Sequence, residues 1–232
     1  MATRQTSDEE RRGRATTPAA SDDMDLALVL AVDDSGSVDD ERWRLQLEGY
    51  AAAFRRPEFA AAVCAGRLGR VAVTLIEWSG SGRQAQTVGW TVIDGRSAAR
   101  DFAGKLAAPR PRSRPDWTSL SGAIDYAAGL LRTSRYRAAR LVIDVSGDGS
   151  NNDGRAAAAA RDDAVAASIT INGLPMLGAE TGVEAYYRDN VIGGKGAFLV
   201  VARDERSFRG AVLEKLLTEV AGASPQPAVV PN

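Results

Sequence analysis

A short apolar run ended by acids, residues 26–33 (LALVLAVD), and a second buried run, residues 140–145 (RLVIDV), constrain the fold of this chain more than any other feature. Runs of this length without polar alternation are strands covered on both faces, and such strands occur in parallel sheets with helices above and below. The segments between them supply the helices. Residues 41–54 (ERWRLQLEGYAAAF) place Trp43, Leu47, Tyr50 and Phe54 on one stripe, and 97–106, 119–131, 155–167 and 207–220 also read as helices. Further strands are expected at 69–78 (GRVAVTLIEW), 86–93 (QTVGWTVI), 168–174 (SITINGL) and 197–202 (AFLVVA). The short gap between the first two of these predicts an antiparallel hairpin at a sheet edge. The whole is an α/β chain: a three-layer, doubly wound, mostly parallel sheet with one antiparallel edge strand, with Val29, Val73, Ile143, Ile171 and Val200 in its core. In such sheets ligands sit beyond the carboxyl ends of the strands.

The first strand runs straight into AVDDSGSVDD, residues 31–40, with four aspartates and two serines in eight residues. Carboxylates this close repel one another and lose hydration when partly buried, so something must compensate. Asp33, Ser35 and Ser37 alternate in a loop eased by Gly36, which lets their oxygens point to one place. Two other element ends carry matching groups: Thr118, opening a helix in WTSLSGAI, and Asp148, closing the 140–145 strand in SGDGSNND. Two carboxylates and three hydroxyls form a hard-oxygen donor set suited to Mg²⁺, Mn²⁺ or Ca²⁺ rather than zinc or copper. A simpler reading stands beside this one. Ser37 and Asp40 have the spacing of a capping box, Thr118 of an N-cap, and Asp148-Gly149 and Asp153-Gly154 of turns.

The chain has no histidine and one cysteine, Cys64. Histidine-based hydrolases, most catalytic zinc sites and internal disulfides are thereby excluded. A formal net charge of −1 gives no electrostatic reason for a nucleic-acid partner, and no run is long and apolar enough to span a membrane.

D-x-S-x-S (Asp33, Ser35, Ser37), a later threonine (Thr118) and Asp148-Gly149, in this order at strand and helix ends, resemble a von Willebrand factor A (VWA) domain over roughly residues 25–222. More narrowly, GYAAAFRRPE, TSLSGAID, DVSGDGSNN, ITINGLP and YYRDNVIGG resemble an uncharacterised bacterial branch of these domains. The resemblance implies a Rossmann-like fold, a metal-ion-dependent adhesion site (MIDAS) on those five residues, and a partner protein whose Asp or Glu carboxylate fills an open position on the metal. It implies a binding module, not an enzyme. In that family a threonine commonly precedes the second aspartate; here Gly147 does. The competing function is Mg²⁺-dependent phosphoryl transfer, since LVLAVDDS is similar to the first strand of a receiver domain. The lysine and strand-end aspartate that such a domain needs later in the chain are not evident, and Ser35 stands where a haloacid-dehalogenase-like phosphatase has its second aspartate.

Asp34 points away from the other ligands in an alternating loop, as a supporting or solvated group. Glu77 and Asp144 lie inside apolar runs and need partners, either the ligand hydroxyls or a basic or backbone donor elsewhere. Trp117 and Arg114, in the Arg/Pro-rich run 109–117, are the candidate partner contacts. Cys64 is expected to be structural and unreactive. Residues 1–24 read as a disordered polar extension, 25–222 as one domain and 223–232 as a Pro-rich tail. The N-terminal segment lacks the apolar core of a secretion signal, which predicts a cytoplasmic location. The resembled branch usually begins with such a signal, which implies a periplasmic or secreted one instead.

Overall fold

A computed structural model describes residues 22–112, 117–178 and 180–222. The extension before residue 22, the tail 223–232 and Arg114 lie outside the described residues. The elements in chain order are β1 (Asp23–Met24), β2 (Leu26–Asp33), α1 (Asp40–Arg55), α2 (Pro57–Cys64), β3 (Val71–Trp78), β4 (Gln84–Ile93), α3 (Arg96–Leu106) and α4 (Leu120–Thr133). There follow β5 (Arg137–Ala138), β6 (Leu141–Gly147), α5 (Ala157–Ala166), β7 (Ile169–Pro175), α6 (Val183–Tyr186), a π-helical turn (Tyr187–Val191) and α7 (Glu205–Ala221).

Side chains alternate across a strand, and β2 shows what that does when both faces are covered. Leu26, Leu28, Leu30 and Val32 join one core with α1, α2, α3 and α7, packed around Tyr50, Phe54, Phe102 and Phe208. Ala27, Val29 and Ala31 face a second core under α4, α5 and the π turn. The sheet order is β4-β3-β2-β6-β7, with β4 antiparallel at one edge and the other pairings parallel. The central strand β2 leads through α1 and α2 to β3 on one side, and β6 flanks it on the other. The carboxyl ends of β2 and β6 are therefore adjacent at a switch point.

Three expectations are corrected. Residues 197–202 run beside β7 but form only isolated bridges, at Leu199 and Ala202. Pro175 has no N–H to extend a ladder, and Asn172 Oδ1 takes the Phe198 N–H at 3.1 Å. As a result Val200 is only partly buried, unlike Val29, Val73, Ile143 and Ile171. Cys64 is a free, exposed thiol at the end of α2, not a core residue. The helix α2, which breaks from α1 at extended Arg56 with Pro57 in its first turn, was hidden by the continuous alanine-rich sequence.

Candidate metal centre

The simpler reading of the acidic loop can be tested directly, because a helix has one N-cap. For α1 that cap is Asp39, whose side chain accepts the Arg42 N–H at 2.8 Å. For α4 it is Ser119, which accepts from Gly122 N. Neither Ser37 nor Thr118 caps a helix. Ser37 Oγ instead donates to Asp148 Oδ1 at 2.7 Å, across 111 residues of sequence, and lies 3.2 Å from Ser35 Oγ. Ser35 N in turn donates to Asp33 Oδ1 at 2.7 Å. One hydrogen-bonded chain thus runs from Asp33 through both serines to Asp148.

Thr118 reaches the same end of the sheet through its backbone. Its N–H donates to Asn152 Oδ1 at 2.8 Å, and its carbonyl accepts from Asn152 N at 2.9 Å. Asn151 Oδ1 accepts the Ser121 N–H at 3.0 Å. The loop after Asp148 is thereby buttoned to the N-terminus of α4. Asp153, expected only as a turn former, also ties in the β3 end by accepting from Ser81 N at 2.6 Å.

The four aspartates of residues 31–40 meet different fates. Asp34 and Asp40 both pair with Arg112, whose guanidinium also donates to the carbonyls of Ser35 and Val38. Asp39 is the helix cap. Asp33 is the fully buried one of the four, and it has no basic partner among the described residues. Its Oδ2 has no hydrogen-bond partner there. Burial, reinforced by the nearby charge of Asp148, pushes its carboxyl up to about 7. Asp148 is equally buried and is met on Oδ2 by the Arg42 guanidinium at 3.2 Å.

The supporting roles expected for Glu77 and Asp144 fall out differently. Asp144 pairs in register with Leu30, three residues before the strand end, and it projects to the α1/α7 face. Its partners are Lys215 Nζ at 2.6 Å and Tyr50 Oη at 3.2 Å. Glu77 pairs with Arg110 at 3.2 Å. Arg110 and Arg112, from a run that reads as a solvated loop, thus clamp the acidic loop and its neighbour strand. Trp117 is 59% exposed beside Thr118.

Sequence reasoning missed four groups near the cluster: Arg42, Arg112, Gln46 and Tyr187. Gln46 Nε2 donates to the Asp33 carbonyl at 3.0 Å, and its Oε1 accepts from Ser146 Oγ at 2.8 Å. Only Gln46 gave a signal, as a polar residue beside the apolar stripe of α1. Among the described residues no three of His, Cys, Asp or Glu converge in a metal-ligating group. A cation at this cluster would therefore draw its remaining bonds from hydroxyls. The donor set fits that demand: two buried carboxylates, one with an unmet oxygen, joined by serine hydroxyls and free of nitrogen and sulfur.

A family model described as "Protein of unknown function (DUF1194)" matches residues 23–224. No curated protein matches the chain. Among solved structures, proximal thread matrix protein 1 from the mussel byssus is similar at a TM-score of 0.61 and 11% identity, over 85% of this chain and 48% of that one. The vWF domain of the type V pili tip protein Mfa5 from Porphyromonas gingivalis gives 0.59 and 12%, over 89% and 98%. A further structure of the mussel protein, described as having a zinc-occupied MIDAS motif, gives 0.55 and 12%, over 83% and 46%. The chain spans less than half the length of the mussel protein. At these identities the likeness shows the fold, which is that of a von Willebrand A-type domain.

Proposed function

This chain belongs to the DUF1194 family of proteins of unknown function, and from its fold and the acidic cluster at the sheet end we propose that it is a non-enzymatic, metal-dependent protein-binding module. Asp33, Ser35, Ser37, Thr118 and Asp148 would hold Mg²⁺ or Mn²⁺. The observation that carries this reading is the state of Asp33: a fully buried carboxylate beside a second one, its Oδ2 unmet, in a loop whose other three acids are all accounted for. A bound divalent cation would neutralise the pair and offer an open position to a carboxylate oxygen from a partner protein. The chain's own residues do the rest. Arg112 fixes the loop carbonyls, Asn151 and Asn152 fix the Thr118 loop, and Arg42 holds Asp148. The zinc-occupied MIDAS described for the mussel protein, and the pilus-tip setting of Mfa5, agree with such a role.

Water-proton relaxation of Mn²⁺ bound to the native protein tests the open position. Adding a short peptide with a central glutamate should displace a bound water and lower the relaxivity, while its glutamine counterpart should not. Equal responses to both peptides would remove the carboxylate partner from the proposal.

A further inference from the structure

Gly147 precedes Asp148 and ends β6. A Cβ at this position would lie 2.6 Å from Tyr187 Oη, 2.7 Å from Asp33 Oδ2 and 3.2 Å from Trp78 Cζ2. Real side chains do not tolerate such approaches, so glycine here is a steric requirement set by those three groups. Two of them are polar atoms that flank the same point. Both are buried in fully buried residues, and neither Tyr187 Oη nor Asp33 Oδ2 has a hydrogen-bond partner among the described residues.

Tyr187 comes to this place through unusual backbone. It opens the π-helical turn, closed by the Ile192 N–H donating to the Tyr187 carbonyl at 3.0 Å. Such wide turns are rare and concentrate at functional sites. The ring packs in the core beneath α4 and α5 and sends its hydroxyl up to the end of the sheet. A buried tyrosine usually finds a partner for its hydroxyl. Phenylalanine would fill the same apolar space without burying an unmet polar atom.

We infer that Tyr187 is a positioning residue of the metal centre: its hydroxyl, not bonded to Asp33 in this structure, faces the space that a side chain at 147 would otherwise occupy, and would fix the orientation of the Asp33 carboxylate there once a cation is bound. This rests on the metal-binding reading of Asp33. Groups that orient metal-ligating carboxylates alter affinity without touching the ion. Gly147 and Tyr187 therefore act as a pair, with the hydroxyl supplied from the π turn because the β6 backbone cannot carry one there.

The test is Mn²⁺ affinity by calorimetry on the purified full chain, with the melting temperature of the metal-free protein measured alongside. Tyr187→Phe should weaken Mn²⁺ binding about tenfold while the metal-free melting temperature stays the same or rises. Native affinity in Tyr187→Phe, together with lost binding in Asp33→Ala, would overturn this inference and leave the metal centre standing. Equal Mn²⁺ binding by the native protein and Asp33→Ala would overturn both. A Tyr187→Phe protein whose metal-free melting temperature falls would show that the hydroxyl acts through packing, and would also overturn it.

Discussion

Two pairs of carboxylates are almost completely buried among the described residues, and their difference explains what each is for. Asp144 and Glu219 lie mid-sheet and on α7, with Lys215 Nζ 2.6 Å from one and 2.5 Å from the other. Asp33 and Asp148 lie at the carboxyl ends of β2 and β6, with Arg42 touching only Asp148. The charge arithmetic is the same, two acids to one base. The surroundings are not. The inner pair is bridged: Lys215 lies between both acids, Tyr50 donates to Asp144 and Asn172 to Glu219, and all three charged side chains are almost fully buried. The outer pair reaches exposed Ser37 and half-exposed Arg42, and one of its oxygens is unmet. Each pair keeps a buried oxygen without a hydrogen bond, Glu219 Oε2 and Asp33 Oδ2, but only the inner pair has a cation that bridges both of its acids.

The largest effect that could break this contrast is at Lys215. Lys215→Ala leaves two acids buried without their cation and should cost about 3–5 kcal/mol of unfolding free energy by urea titration. A loss under about 1 kcal/mol would mean that the inner pair does not depend on its lysine.

A pH series sharpens the same point with a smaller effect. Burial pushes the Glu219 carboxyl from 4.5 up to about 7, against the opposing pull of Lys215 and with Asp144, Asn172 and Arg140 around it. Between those values the folded protein keeps a proton that the unfolded chain releases. The stability this group contributes is therefore present at low pH and lost as pH rises through about 7, at up to about 1.4 kcal/mol per pH unit. Asp33 acts in the same direction, so the measure is a difference: Glu219→Gln should flatten the fall between pH 5 and 7 relative to the native protein. Parallel curves would contradict the assignment.

In the outer pair the same kind of deletion should act in the opposite sense. Metal-free Asp33→Ala loses the Ser35 N–H acceptor but sheds an unmatched buried charge, so its stability should stay within about 1 kcal/mol of native or exceed it. A loss as large as that of Lys215→Ala would make the two pairs equivalent. Smallest of all, Trp117→Ala at an exposed position should change stability by less than about 0.5 kcal/mol, and Mn²⁺ binding not at all.

The sheet was legible because its signals are local. The apolar run of β2, the single stripe of α1 and the short turn before β4 each follow from a few neighbouring residues. The segment 197–202 misled for a related reason: its residues favour a strand, but whether they pair depends on Pro175 and Asn172, more than twenty residues away. The outer acids were readable as a cluster because Asp33, Ser35 and Ser37 share a loop and Asp148 ends an apolar run. Their partners were not. Arg112 reads as a solvated residue in a Pro-rich loop, and Lys215 as one more surface lysine of α7, until the fold carries each to its acid. Tyr187 belonged to a stretch that resembled a family without having a role. Only a steric fact, the closeness of its hydroxyl to the vacant β-position of Gly147, gives it one.

The central claim is that the outer pair is completed by a divalent cation, and thermal unfolding with and without Mn²⁺ tests it most directly. A ligand bound only by the folded state adds RT ln(1 + [L]/Kd), about 2.7 kcal/mol at a hundred times Kd. Saturating Mn²⁺ should raise the melting temperature of the native protein and of Glu219→Gln alike, and leave those of Asp33→Ala and Asp148→Ala where they are without metal. A native protein that does not respond, or an Asp33→Ala protein that rises as far as the native one, would contradict the claim.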